Sequence, residues 1–172
     1  MMKVILIVGL MVLSSQVDTP RQVGPVFMID GDKAIEMKYS VASKRGSVSG
    51  VGVFSKSKEY FVFDGPSASQ RTKNREVAFE FSVASDLNPQ STIYLIKLET
   101  KPDRREVRTG IKGARSAKQG VPQDRRVPTR FRQLSSEGAT ARYRLEPTLP
   151  LSPGEYCLVR SSESCFDFGV DK

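Results

Sequence analysis

The chain has 172 residues with 27 Lys and Arg against 19 Asp and Glu, a formal charge of +8, and 38% hydrophobic content. Those proportions suit one globular domain and exclude wholesale disorder. There is no His, no Trp and only two Cys, which removes Ser-His-Asp and Cys-His catalysis, every His-based zinc site and any four-thiolate zinc site.

The first feature in chain order is a leader. Met1-Met2-Lys3 gives a short positive start, Val4 to Leu13 is an unbroken apolar run, and Ser14-Ser15-Gln16 is a small polar exit. Charge, apolar core and small residues in that order are the layout of a secretory signal peptide. The run is shorter than the about 20 apolar residues that span a bilayer. A buried strand is the alternative, but ten apolar residues in a row would be out of keeping with the alternating strands downstream. The reading is a signal peptide over 1–15 cut between Ser14 and Gln16, a flexible lead-in over 16–24, and a single domain over 25–172. It implies a secreted or periplasmic protein with no transmembrane anchor after cleavage.

The domain alternates with period two. Ile35, Met37, Tyr39 and Val41 alternate with polar residues, as do Val77, Phe79, Phe81 and Val83, and then Ala141, Tyr143 and Leu145. Each series offers one face to a core and the other to water, as in antiparallel sheets. Pro25 to Ile29, Tyr60 to Phe63 and Ile93 to Leu98 are more continuously apolar and read as central strands. Asp30-Gly31-Asp32 is a tight hairpin turn, Asp64-Gly65-Pro66 closes a strand, and Asn88-Pro89 opens a strand at Thr92. Ser43 to Ser57 reads as a loop around a short strand at Val51 to Phe54. Thr109 to Asp124, poor in apolar residues, reads as a long exposed loop, and such loops are often functional or disordered. No segment after the leader carries a 3.6 period. The fold class is all-β: an antiparallel β-sandwich of about 8–9 strands, Ig-like or jelly-roll-like, with a closed barrel as the alternative.

Cys157 and Cys165 fit an oxidising compartment. If Tyr156, Leu158, Phe166 and Phe168 share the core face, paired positions sum to an even number. A sum of 322 sets the two Cys directly opposite on the other face, with Arg160 to Ser162 as a three-residue turn. A cross-strand disulfide follows, adding about 2 kcal/mol. A four-residue turn changes the parity and points the thiols apart.

Charge is uneven. Lys101 to Arg132 holds eleven Lys or Arg against Asp103, Glu106 and Asp124, a local balance of +8 that matches the whole chain. Arg126, Arg130 and Arg132 are expected on one face of a strand whose other face carries Val127 and Phe131, with Arg142 and Arg144 alongside. The candidate anion-binding residues are Arg104, Arg105, Arg108, Lys112, Arg115, Lys118, Arg125, Arg126, Arg130 and Arg132. They offer a surface for an acidic polymer or protein, although a charge run is more often a solvated face. Nucleic acid is disfavoured by export and by the lack of interleaved aromatics. Asp30-Gly31-Asp32 lacks the further spaced oxygens of a calcium loop and is a plain turn. Tyr39, Tyr143 and Tyr156 fall at core-facing parity, so only Tyr60 and Tyr94, both in apolar strands, remain as a platform for a sugar, which counts against a carbohydrate-binding module without excluding one.

The stretch Leu149-Pro150-Leu151-Ser152-Pro153-Gly154-Glu155-Tyr156, followed by Phe166-Asp167-Phe168-Gly169-Val170-Asp171, resembles exported bacterial proteins of uncharacterised function that end in an L-x-PGEY…FGVD hairpin. Ile93 to Leu98 and Arg104 to Val107 resemble their central region. The resemblance implies a small secreted β-sandwich and transfers no catalytic residue. The expectation is therefore a non-enzymatic binding or structural module without a cofactor. The alternatives are a polyanion-binding envelope protein using the 101–132 surface and, third, a carboxylate-dependent hydrolase.

Overall fold

The computed structural model describes residues 24–50, 55–113, 116–161 and 164–172, with backbone alone at 113, 116, 161 and 164. The expected leader, nearly all of the lead-in, the strand at Val51–Phe54 and the candidate Arg115 lie outside the described residues. The strands in chain order are β1 (Phe27–Asp30), β2 (Lys33–Glu36), β3 (Tyr39–Val41), β4 (Ser43–Ser49), β5 (Lys56–Asp64), β6 (Arg71–Thr72) and β7 (Ala78–Ala84). After a one-turn helix α1 (Pro89–Thr92) come β8 (Tyr94–Lys97), β9 (Glu99–Thr100), β10 (Arg104–Gly113), β11 (Ser116–Gln119), β12 (Thr129–Glu137), β13 (Thr140–Pro147), β14 (Gly154–Ser161) and β15 (Ser164–Val170).

They form three sheets of antiparallel strands: a front sheet ordered β12-β13-β7-β1-β2, a central sheet β3-β15-β14-β8, and a back sheet β11-β10-β5-β4 with β9 on β10. A two-residue parallel pairing of β6 adds to β15. The central sheet is buried on both faces. Leu95, Tyr156, Leu158, Phe166, Phe168 and Val170 pack with front-sheet Met28, Phe79, Phe81, Val83 and Leu145. Ile96, Cys157, Val159 and Cys165 pack with back-sheet Phe63 and Val107. The arrangement is sandwich-like, with three layers where the alternation suggested two. Each fully buried Phe or Leu contributes about 1.5–3 kcal/mol, and the ring contact Phe79–Phe168 at 5.2 Å joins front to central sheet.

The series Val77, Phe79, Phe81, Val83 is buried as expected. The series Ile35 to Val41 is not: Met37 is buried, but Tyr39 is 50% and Val41 72% exposed. The chain leaves the front sheet after Glu36 and joins the central sheet at Tyr39 and the back sheet at Ser43, so one parity cannot run through. This edge run also places β4 where a loop was expected. Ile93 to Leu98 supplies an edge strand, β8, although Leu95 and Ile96 are buried on opposite faces. Asn88 caps α1 through its side chain accepting from Gln90 N at 3.0 Å, so the strand begins two residues later than Thr92. Thr109 to Asp124 is mostly a hairpin, β10 running to Gly113 and β11 pairing back onto it. A bulge between Arg108 and Gly110 had obscured its alternation.

The disulfide Cys157–Cys165 is formed, with a Cα–Cα distance of 5.7 Å. Its register is corrected: Cys157 faces Asp167 and Val159 faces Cys165, and the strands run on to Ser161↔Ser164. Up to Val159↔Cys165 the pairs sum to 324, with a register shift before Ser161↔Ser164, and the thiols meet diagonally on the face opposite Tyr156 and Phe168.

The terminal hairpin residues share one job. Glu155 is buried and accepts from Ala68 N at 2.8 Å and from Arg71 Nη1 at 2.8 Å. Arg71 Nε and Nη2 also donate to Asp171 Oδ1 at 2.9 and 2.7 Å. The Asp171 bonds, then those to Glu155, push the Arg71 guanidinium up, and Arg71 holds the Asp171 carboxyl below its ordinary value. A Cβ at Gly169 would collide with that guanidinium, so any larger residue there must displace Arg71. Glu155, Gly169 and Asp171 thus pin the β5–β7 connection to the central sheet.

Candidate anion-binding face

Most of the basic segment is paired with carboxylates, some local and the others brought by the fold from elsewhere. Arg104 donates to Glu106 at 2.7 Å and to Asp103 at 2.9 Å. Arg105 is buried against Asp167 with an Nη2–Oδ2 distance of 2.7 Å. Lys112 lies 2.8 Å from Glu59, and Arg125 reaches Glu99 at 3.6 Å. Arg130 and Arg132 both approach Glu146, at 2.8 and 3.9 Å. Arg126 lies before β12 and stacks over Tyr94, 4.8 Å from the ring centroid. The expected strand with Arg126, Arg130 and Arg132 on one face thus begins only at Thr129. Phe131 does pack inward, edge-on to Phe81 at 6.4 Å.

Arg142 and Arg144 converge on Glu80, which is buried beneath them on the outer face of β7. Burial pushes the Glu80 carboxyl up, but hydrogen bonds and charge from Arg144 and Arg142 outweigh it and hold the group below its ordinary value. Glu99 is likewise held down by its hydrogen bond from Lys101. The buried acids Glu80, Glu106, Glu155 and Asp167 are each occupied by at least one arginine. Among the described residues no group of three His, Cys, Asp or Glu is placed to hold a metal. Nor is any helix there long and apolar enough to cross a membrane.

Five of the cations without an ion pair among the described residues share one face. Lys56, Lys58, Tyr60 and Val62 alternate along β5, so they share the side of the back sheet opposite the core residues Phe61 and Phe63. Across the β4 ladder, Arg45 sits directly opposite Tyr60. Across the β10 ladder, Arg108 sits opposite Tyr60 and Ile111 opposite Lys58, and Lys118 of β11 then faces Ile111. Tyr60 is therefore flanked by two arginines, each about 5 Å away across its strand pair, with Lys58 about 7 Å along the strand. None of Arg45, Lys56, Lys58, Arg108 and Lys118 has an ion-pair partner among the described residues. All five are exposed or half-buried. The acids of this sheet face, Asp64, Glu99 and Glu106, lie at its other end with Arg104 and Lys101.

Of the ten candidates, the fold thus brings Arg108 and Lys118 into an unopposed array and ties most of the rest to carboxylates. It adds Arg45, Lys56 and Lys58, which a count along the chain passes over. The signal that would have found them is the period-two Lys56, Lys58, Tyr60 beside the Lys44-Arg45 pair across a hairpin. No family model matches the chain, and neither a curated protein nor a solved structure is significantly similar to it.

Proposed function

We propose that the chain is an exported, non-enzymatic β-sandwich module that holds an acidic polymer against the outer face of its back sheet. The observation that carries this reading is the five-cation array around Tyr60, which has no carboxylate partner among the described residues. A single exposed cation attracts weakly and is screened within about 8 Å at physiological salt. Five on one sheet face act together on a ligand of repeating negative charge, where each contact releases counterions. The leader-like start supports export, and the disulfide is compatible with an oxidising compartment. The binding reading is favoured over hydrolysis because the buried acids are occupied by arginines rather than set against a second carboxylate.

Retention on a heparin column tests it. The triple variant Arg45→Ala, Lys58→Ala, Arg108→Ala elutes at clearly lower salt, whereas Arg130→Ala, Arg132→Ala, which removes cations already paired to Glu146, elutes near the parent. Equal elution of the triple variant and the parent removes the proposal.

A further inference from the structure

The inner side of the same sheet carries a separate feature. Between it and Tyr94 at the start of β8 a cleft of about 610 Å³ opens, within the about 300–1,000 Å³ of small-molecule sites. Phe61, Tyr94 and Val121 give it an apolar floor. Its shape follows from two glycines. Glu59 is flanked across both ladders by Gly46 on β4 and Gly110 on β10. A Cβ at Gly110 would sit 3.1 Å from Glu59 Oε2, so the bare backbone lets the carboxylate lie over β10, where Lys112 neutralises it at 2.8 Å. A Cβ at Gly46 would meet nothing within 4 Å; the room above it is open.

The charge around this hollow is positive. Lys44 lines it from the inner face of β4, Arg45 only borders it from the opposite face, and Arg126, which has no carboxylate partner among the described residues, stands on the Tyr94 ring. Glu59 is the one carboxylate among the described lining residues. Burial pushes the Tyr94 hydroxyl up, and the Arg126 charge offsets this only in part, so at neutral pH it is a hydrogen-bond donor rather than a second anion.

We propose that this cleft is a ligand site for a small molecule with an apolar body and one acidic group. The body lies on Phe61, Tyr94 and Val121, and the acid faces Arg126 beside the Tyr94 ring. Arg45 and Tyr60 border the cleft as well as the polyanion face, but Gly46 and Glu59 share the side of the sheet opposite Lys58 and Arg108, so those two cations separate the sites.

The probe pair is 1-anilinonaphthalene-8-sulfonate and its uncharged analogue N-phenyl-1-naphthylamine, titrated by fluorescence into the whole chain. Gly46→Ile plugs the hollow at a strand position that favours a β-branched residue. It is expected to weaken the sulfonate about tenfold or more with no fall in melting temperature. Arg126→Gln weakens the sulfonate several-fold and leaves the uncharged probe unchanged. Lys58→Ala, Arg108→Ala leaves both probes unchanged while lowering heparin retention. Sulfonate binding that ignores Gly46→Ile overturns the cleft as the site. Equal affinity for the two probes overturns the acidic-ligand assignment.

Discussion

Arg105 and Asp167 form an ion pair sealed between the central and back sheets, with side chains 5% and 7% exposed. Arg105 Nη2 donates to Asp167 Oδ2 at 2.7 Å, and Ser40 Oγ donates to Oδ1 at 2.5 Å. Arg105 Nε and Nη1 are buried with no hydrogen-bond partner among the described residues. At an effective dielectric of about 20, the charges attract by about 4 kcal/mol, while desolvation costs several kcal/mol per ion, and two of the three guanidinium nitrogens recover none of theirs. Removing one member strands the other: Arg105→Met leaves Asp167 with Ser40 alone, and Asp167→Leu leaves a bare buried guanidinium. Each single change is expected to cost about 3–5 kcal/mol. The double change Arg105→Met, Asp167→Leu adds apolar side chains beside Phe63, Cys157 and Val107 and is expected within about 1 kcal/mol of the parent, on either side. Urea denaturation followed by far-UV circular dichroism measures this as a shift in midpoint at constant slope. Singles that each cost under about 1 kcal/mol, or a double variant that loses the sum of the two, would refute the reasoning.

Other consequences are simpler. The Cys157–Cys165 bridge spans eight residues in sequence, so closing its loop stabilises by about 2.5 kcal/mol. Cys157→Ala, Cys165→Ala should melt about 5–10 °C lower, and an unchanged melt would contradict the bond's contribution. Gly169→Ala should cost about 2 kcal/mol by displacing Arg71 from Glu155 and Asp171. In the Arg71→Ala background the same change should cost far less, and an equal cost in both backgrounds would show that Arg71 is not the obstacle. The pH dependence follows from the depressed acids Glu80, Glu99 and Asp171. A carboxyl whose folded value lies below its unfolded one adds stability above the unfolded value and loses it as pH falls through the folded value. Stability should therefore decline below the ordinary values of 4.5 for Glu80 and Glu99 and 3.8 for Asp171. With no His, it should be flat between about pH 5 and 8; a midpoint that moves in that window would oppose this.

How much was legible varies by segment. Strand β7 could be read because its core partners lie on one side only, giving clean alternation at Val77, Phe79, Phe81 and Val83. The central sheet could not, because burial on both faces erases the period: Tyr156 and Phe168 face the front sheet, and Cys157 and Cys165 face the back. The same erasure hid the disulfide register, since sums of 322 and 324 put identical residues on the core face and differ only in the turn. Ile35 to Val41 misled in another way, by passing from the front sheet to the central sheet within one apparent strand, just before Ser43 joins the back sheet. The basic site was half legible. Arg108 and Lys118 belonged to the counted run, but their companions Arg45, Lys56 and Lys58 come from strands far earlier in the chain. Their partners' absence depends on where Glu59, Glu99 and Glu146 were drawn, which no spacing reveals.

The most direct test of the central claim is the salt dependence of binding to a labelled linear polyphosphate, measured by anisotropy for the parent and for Arg45→Ala, Lys58→Ala, Arg108→Ala. If these three cations contact the polymer, the slope of log affinity against log salt should become shallower by about 2, at about 0.7 per lost contact as for single strands. A triple variant that binds with the parent's slope and affinity would contradict the account.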